Sequence, residues 1–150
     1  MIKISIANRQ ESMTVSRDQL REVVLAVLKG EGFDDAKISL ALVDNETIHV
    51  LNKRYLNHDE PTDVLSFPLS APTAATLEGE LVIGIGVAQS QAAERGHSEQ
   101  AELALYVIHG LLHLCGEDDT TPETATSMRK KERHYLHQLG LPDIAPEESS

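Results

Sequence analysis

The stretch "HGLLHLCGEDD", residues 109–119, ends a long apolar segment that begins after Ser98. Residues 98–116 have the periodicity of a helix whose apolar side chains cover almost its whole circumference. The exception is a narrow polar stripe formed by Glu102, Tyr106, His109 and His113. A helix that is apolar on nearly every side is usually buried. We therefore predict that the rest of the chain packs around this segment.

Periodicity and helix-capping residues predict four strands and five helices in the whole chain. Strands are expected over residues 2–8, 36–43, 62–69 and 79–87. The first helix is expected to run from the N-cap Ser16 to Gly30 or Gly32, and the last to begin at the N-cap Thr121. Three further helices are expected over 44–56, 88–95 and 98–116. Residues 71–79 are predicted to form a loop, and a tail from about residue 141 is expected to fray. The pattern predicts an α+β fold, a small mixed four-stranded sheet packed with about five helices.

Length and composition limit the class of protein. The 150 residues are expected to form one domain, residues 1–150, because this length suffices for a single hydrophobic core. The formal net charge of −11 opposes non-specific binding to nucleic acid or acidic membranes. Cys115 is the only cysteine, so an intrachain disulfide is excluded. Since no segment resembles a leader or a membrane span, a soluble cytoplasmic protein is the expectation.

Two histidines on the predicted buried helix indicate a metal site. His109 and His113 are four residues apart, which places their Cβ atoms about 5–6 Å apart on one helix face. One divalent cation would satisfy both imidazoles. Gly110 costs a helix roughly 1 kcal/mol relative to alanine, which suggests that another group approaches the backbone there. Hydrogen bonds from the imidazoles to backbone carbonyls or to the sheet edge are the structural alternative.

The residues after the helix offer a third ligand. Gly116 can adopt the left-handed conformation that ends a helix and turns the chain back. In sites written His-x-x-x-His-x-x-Gly-x-x-ligand, the third ligand then falls at Asp119. The neighbouring Asp118 is the alternative ligand, because a loop can exchange adjacent residues at one position.

These residues resemble the signature of the YbeY family, His-Gly-x-Leu-His-Leu-x-Gly-Tyr-Asp-His. The chain matches it at His109, Gly110, Leu112, His113, Leu114, Gly116 and Asp118. A second family stretch is similar to "LNKRYLNHDEPTDVLSFP", residues 51–68, and a third to "EGELVIG", residues 78–84. The order and spacing of these elements agree over roughly residues 40–138.

The resemblance implies a metal-dependent endoribonuclease specific for single-stranded RNA. It further implies one Zn²⁺ or another divalent transition metal, and a role in 16S rRNA 3′-end maturation and ribosome quality control. The partners would be ribosomal RNA and the ribosome or its small subunit. Two alternatives stay open: a ribosome-associated module whose metal is structural and closed off by Asp119, and a zinc peptidase. A peptidase would carry glutamate directly after the first histidine, where this chain has Gly110.

Three positions depart from the family pattern. Asp119 replaces the third histidine, and Glu117 replaces the tyrosine before the acidic residue. A carboxylate ligand is expected to weaken the Lewis acidity of the metal and to broaden the choice of metal. Leu56 occupies the place of an arginine that the resemblance assigns to RNA contact. Arg54 is the nearest substitute, although it points about 200° away from position 56 on a helix.

Several other residues have two interpretations each. Glu117 and Asp118 are candidate proton acceptors by proximity to the metal ligands alone. Ser66 resembles a groove-lining family position for substrate, and otherwise reads as a half-buried strand serine. The basic run "RKKER", residues 129–133, is a candidate contact face or an ordinary solvated surface. Cys115 is expected to be a buried small apolar residue rather than a ligand.

Overall fold

The computed structural model of the chain describes residues 1–56, 64–71, 74–117 and 119–144, with only the backbone for 52–56. These residues form nine elements in an α+β arrangement. In order they are β1 (Ile2–Asn8), α1 (Arg17–Gly30), β2 (Ala36–Val43), α2 (Asn45–Leu56), β3 (Val64–Pro68), β4 (Leu77–Gly84), α3 (Ile85–Arg95), α4 (Glu99–Leu114) and α5 (Pro122–Gln138). Four strands and five helices, as predicted, are thus present in the described parts of the chain.

The strands form one mixed sheet in the order β1-β2-β4-β3. β2 pairs in parallel with β1 and with β4, whereas β3 pairs antiparallel with β4. The crossover from β1 to β2 runs through α1, because two parallel neighbours need a connection that returns the chain to the same end of the sheet. One sheet face carries the main core, in which Leu40, Leu81 and Ile83 are at most 1% exposed.

The central helix α4 is buried, as its all-round apolar pattern predicts. From Ala101 to Leu114 every residue is buried except His109 and His113, which are half-buried. The helix begins at the N-cap Ser98, whose side chain accepts a hydrogen bond from the Ala101 amide. After α4, Gly116 has a φ of 103°, the left-handed conformation expected of a residue that turns the chain back.

Gly110 explains how closely α4 packs on the sheet. A Cβ atom at this position would lie 2.9 Å from Leu81 Cδ2 and 3.1 Å from Val64 Cγ2. The Ser66 hydroxyl donates to the Gly110 carbonyl at 3.2 Å, which joins β3 to the same turn of the helix. The close approach suggested by a glycine in mid-helix is therefore made by β3 and β4.

The boundary between β4 and α3 was predicted wrongly. The strand begins at Leu77, within the predicted loop over 71–79, and it ends at Gly84 rather than at residue 87. α3 begins at Ile85 instead of residue 88, with Gly84 as its N-cap. The alternating "GIGV" looks like a strand, but Ile85 is 0% exposed in the main core as part of the first helical turn.

The other element ends differ from the prediction only slightly. β3 ends at Pro68, the residue near which the proline is expected to terminate this strand, and residues 62–63 of its predicted span lie outside the described residues. Residues 141–144, where fraying is predicted, include Ile144, which is 7% exposed in the main core, while 145–150 lie outside the described residues. Within the described parts of the chain, every helix is too short or too polar to cross a lipid bilayer.

Candidate metal centre

Three predicted ligands converge at the C-terminal end of α4. Ligand atoms of His109, His113 and Asp119 all lie within 4.8 Å of one another. The two Nε2 atoms are 3.0 Å apart, and Asp119 carboxylate oxygens lie 3.9 Å from His109 Nε2 and 3.8 Å from His113 Nε2. The helix fixes the two imidazoles on adjacent turns, and the turn at Gly116 returns Asp119 to them. The structure therefore brings together all three residues predicted to bind a metal.

The hydrogen bonds of the two imidazoles fix which nitrogens face each other. His109 Nδ1 lies 3.2 Å from Glu132 Oε2, and His113 Nδ1 lies 3.1 Å from the Glu117 carbonyl oxygen. A carboxylate and a carbonyl only accept hydrogen bonds, so Nδ1 is the donor in both rings. In the neutral rings, both Nε2 atoms then carry lone pairs, and the two atoms lie 3.0 Å apart. Two lone pairs this close repel each other unless a metal ion or a proton lies between them.

The donor set fits a divalent metal ion. Two nitrogens bound to one tetrahedral zinc at about 2.0–2.1 Å lie about 3.3 Å apart, close to the separation found here. Two imidazoles and one carboxylate form a three-ligand set of the kind that leaves a coordination position open. The structural alternative for the histidines, a hydrogen bond to a backbone carbonyl, is realised at His113 Nδ1.

Glu132 on α5 contacts Nδ1 of His109, and its role was not identified from the sequence. Its side chain is 0% exposed, and its carboxylate oxygens accept hydrogen bonds from Arg129 Nη1 at 2.5 and 2.6 Å. Arg129 Nη2 also lies 3.9 Å from Asp119 Oδ2. A signal was present, because Met128, Glu132, Tyr135 and Leu136 form the buried stripe of α5. A glutamate within an apolar stripe at helical spacing needs a buried partner.

A second buried carboxylate, Glu102, lies on α4 and is also 0% exposed. It accepts from Arg95 Nη1 at 3.2 Å and lies 2.9 Å from His97 Nδ1. Arg95 and Arg129 both border a cavity of about 140 Å³ next to the metal ligands. The lining residues are Arg95, Leu105, Tyr106, His109, Asp119, Arg129 and Glu132.

Glu117 contacts the site through its backbone carbonyl, and its side chain forms an ion pair. Its carboxylate accepts a hydrogen bond from Lys131 Nζ at 2.5 Å, and Lys131 also contacts Glu31 Oε1 at 2.7 Å. These two carboxylates raise the pKa of Lys131. Burial would raise the pKa of Glu31, but hydrogen bonds from Lys131 and Tyr135 outweigh it and lower the pKa. Asp118, the other candidate proton acceptor, lies outside the described residues.

The two predicted substrate contacts have different outcomes. Ser66 is half-buried on β3 and donates to the carbonyl of Gly110, the residue after a metal ligand. The side chains of Arg54 and Leu56 lie outside the described residues, so their predicted roles stay predictions.

Three of the four basic residues in the run over 129–133 form ion pairs. Arg129 and Lys131 have the partners given above, and Arg133 Nε lies 3.5 Å from Asp143 Oδ1. Whether the run contacts a partner stays a prediction. Cys115 is half-buried against the core, as expected of a small apolar residue, and burial raises the pKa of its thiol to about 12.

Comparison with known proteins gives consistent results. The family model described as Endoribonuclease YbeY matches residues 5–140. A protein named Endoribonuclease YbeY from Carboxydothermus hydrogenoformans is 42% identical over 139 residues, covering 91% of this chain and 96% of that protein. The same name belongs to a protein from Clostridioides difficile, 35% identical over 144 residues, covering 89% of this chain and 94% of that one.

The fold is also similar to a solved structure. The solution structure of TM1509 from Thermotoga maritima superposes with a TM-score of 0.62 at 26% sequence identity. The superposition covers 98% of this chain and 100% of that chain.

Proposed function

The chain belongs to the YbeY family of endoribonucleases, and on that premise we propose that it cleaves single-stranded RNA with the help of one bound divalent metal ion. The metal ligands in this proposal are His109, His113 and Asp119. The proposed biological task is maturation of the 16S rRNA 3′ end and ribosome quality control in the cytoplasm, with the small subunit as partner.

One observation carries the metal dependence. The Nε2 atoms of His109 and His113 face each other at 3.0 Å, while acceptors hold both Nδ1 atoms. A bound cation removes the repulsion between the two lone pairs, and the Asp119 carboxylate supplies negative charge beside it. Zn²⁺ suits two imidazoles and a carboxylate, and the carboxylate also suits harder divalent ions.

Residues around the metal ligands would orient the histidines and accept a proton from the attacking water. When bound, the metal would acidify a water molecule and polarise a phosphoryl oxygen. Glu132 holds the ring of His109 in the tautomer whose Nε2 carries no proton, and the Glu117 carbonyl does the same for His113. Glu117 and Asp118 are the proposed proton acceptors. The ion pair of Glu117 with Lys131 favours Asp118 in this role.

The packing of α4 weighs against a zinc peptidase. A general-base glutamate would have to stand at position 110, where a Cβ atom would already lie 2.9 Å from Leu81. Leu81 is 0% exposed, so this position faces the buried side of the helix. A side chain at this position would therefore point into the sheet and not toward the metal ligands.

The proposal is tested by metal analysis and RNA cleavage on the same preparations. We expect about one equivalent of a divalent transition metal, and cleavage of a single-stranded RNA in preference to its duplex. His113→Ala should lose both the metal and the cleavage. If the wild type holds the metal but cuts no RNA with any of Zn²⁺, Mn²⁺ or Co²⁺, the protein is a binding module with a structural metal instead.

A further inference from the structure

The cavity beside the metal ligands contains two arginines that are held rigidly by buried carboxylates. Arg95 Nη1 lies 3.2 Å from Glu102, and Arg129 Nη1 lies 2.5 and 2.6 Å from the two oxygens of Glu132. Both carboxylates are 0% exposed, whereas the arginine side chains are 41% and 21% exposed. Each guanidinium is therefore anchored on its inner side and reaches solvent on its outer side.

The anchoring contacts leave hydrogen-bond donors for a ligand. A guanidinium has five N–H groups in a planar fork, and both arginines use only Nη1 for their carboxylates. Among the described residues, no hydrogen bond engages the Nε or Nη2 groups of either arginine; Nη2 of Arg129 comes no closer than 3.9 Å to Asp119. Planar, pre-positioned donors of this kind match the oxygens of a phosphate group.

The charge around the cavity favours an anion once the metal is bound. Asp119, Glu132 and Glu102 carry three negative charges, while two arginines and a divalent cation carry four positive ones. The cavity of about 140 Å³ accommodates a phosphate group with a few waters, each of which takes about 30 Å³. It is well below the roughly 300–1,000 Å³ of pockets that enclose whole small-molecule ligands.

We infer that this cavity is a subsite for a backbone phosphodiester of the RNA strand, contacted by Arg95 and Arg129. The inference rests on the proposed function, because the ligand is the strand that the metal centre would cleave. It gives a protein with a net charge of −11 a local positive site at which RNA can bind. Glu102 and Glu132 keep the two arginines in place.

The first test separates RNA binding from catalysis in single-turnover kinetics. Arg95 is outside the metal ligand set, so Arg95→Gln should raise the RNA concentration for half-maximal rate about tenfold while the maximal rate and metal content stay unchanged. The slope of log affinity against log salt concentration should fall by about 0.7, the value for one contact to a single strand. Arg21→Gln, on the exposed face of α1, removes the same charge and should change neither quantity.

A second variant guards against loss of folding. Glu102 is fully buried, so Arg95→Gln could unfold the protein by leaving this carboxylate without its arginine. Arg95→Lys keeps the charge but loses the planar fork, and we expect it to weaken RNA binding about threefold with an unchanged salt slope. Equal behaviour of Arg95→Lys, Arg21→Gln and the wild type would overturn the inference.

A measurement that needs no catalysis uses dimethyl phosphate, which has the single charge of a phosphodiester. It is titrated into the metal-loaded protein while the arginine Nε–Hε NMR signals are followed. The signals of Arg95 and Arg129 should shift saturably and that of Arg21 should not; if no arginine signal shifts, the subsite does not exist. A wild type that cuts no RNA would refute the proposed function, yet this titration would still decide on the subsite.

Discussion

The two buried glutamates, Glu102 and Glu132, have almost the same surroundings, but Glu132 contacts a predicted metal ligand whereas Glu102 contacts His97. Each is 0% exposed, and each contacts one arginine and the Nδ1 atom of one histidine. The histidine of Glu132 is His109, whose Nε2 faces His113 and Asp119. His97, the histidine of Glu102, belongs to no group of potential metal ligands among the described residues. The same kind of polar triad thus borders the predicted metal site in one case and joins two helices in the other.

The two triads also differ in how far they reach along the chain. Glu102 contacts residues five and seven positions earlier, so it fastens the end of α3 to the start of α4. Glu132 contacts a residue 23 positions earlier, on a different helix. Metal binding should therefore depend on the packing of α5 against α4, and it should be insensitive to the junction of α3 and α4.

Removing the histidine of each triad should give the largest difference in metal affinity between the two triads. His109→Ala deletes a proposed ligand, so metal affinity and RNA cleavage should fall more than about 100-fold, beyond the range for outer partners. His97→Ala deletes the matching histidine of the other triad and should keep the metal content of the wild type. Elemental analysis of both variants after dialysis decides the matter. Equal metal content in the two would remove the distinction between the triads.

Replacing each glutamate by glutamine should give a smaller difference in metal affinity. Glu132→Gln loses the acceptor that orients His109, and metal affinity should fall about 10–100-fold. Glu102→Gln should leave metal affinity unchanged. Both variants should lose about 1–3 kcal/mol of stability, because each weakens a fully buried charged hydrogen-bond network.

Metal titration and urea unfolding measure these two quantities separately. If Glu102→Gln weakened metal binding as much as Glu132→Gln does, the junction of α3 and α4 would be coupled to the metal centre after all.

Glu31, which is linked to His113 through Lys131 and Glu117, gives a third and still smaller effect, on stability. Nδ1 of His113 is held by the Glu117 carbonyl, and the Glu117 side chain is tied through Lys131 to Glu31. The pKa of Glu31 is lowered, so its ionised form adds stability above the ordinary pKa of 4.5, and this stability is lost as the pH falls through the folded-state pKa. Glu31→Gln should therefore cost about 1 kcal/mol at neutral pH and progressively less below pH 4.5.

Urea unfolding of the metal-free protein between pH 3 and 7 would record that trend without interference from metal release. A constant difference between wild type and Glu31→Gln across this range would contradict the assignment of the lowered pKa to Glu31.

The smallest effect is expected at Cys115, which lies two residues after His113 without joining the ligands. With a pKa of about 12, about one thiol in 10⁴ is ionised at pH 8, so Ellman's reagent should react far more slowly with the native than with the urea-unfolded protein. Cys115→Ser should bind metal as the wild type does. Protection of the thiol by metal alone, lost on chelation, would instead indicate that Cys115 is a ligand.

Features that depend on neighbouring residues in the sequence were predicted more often than contacts between distant parts of the chain. Ser16 and Thr121 cap their helices as predicted, because an N-cap depends only on the next three residues. His109, His113 and Asp119 could be grouped because a helix and one turn determine their spacing. Glu132 was missed because its partner is on another helix, and the start of α3 was missed because burial of Ile85 overrides a strand-like alternation.

The absence of a side chain at Gly110 allows α4, which carries His109 and His113, to pack closely against the sheet. His109 and His113 move together if α4 shifts, but Asp119 and Glu132 come from other parts of the chain and would stay behind. An alanine Cβ at 110 would lie 2.9 Å from Leu81 and 3.1 Å from Val64, so either these side chains or α4 would have to shift. If the proposed metal centre is catalytic, the distance between α4 and the sheet therefore affects catalysis, and Gly110 permits the short distance found here.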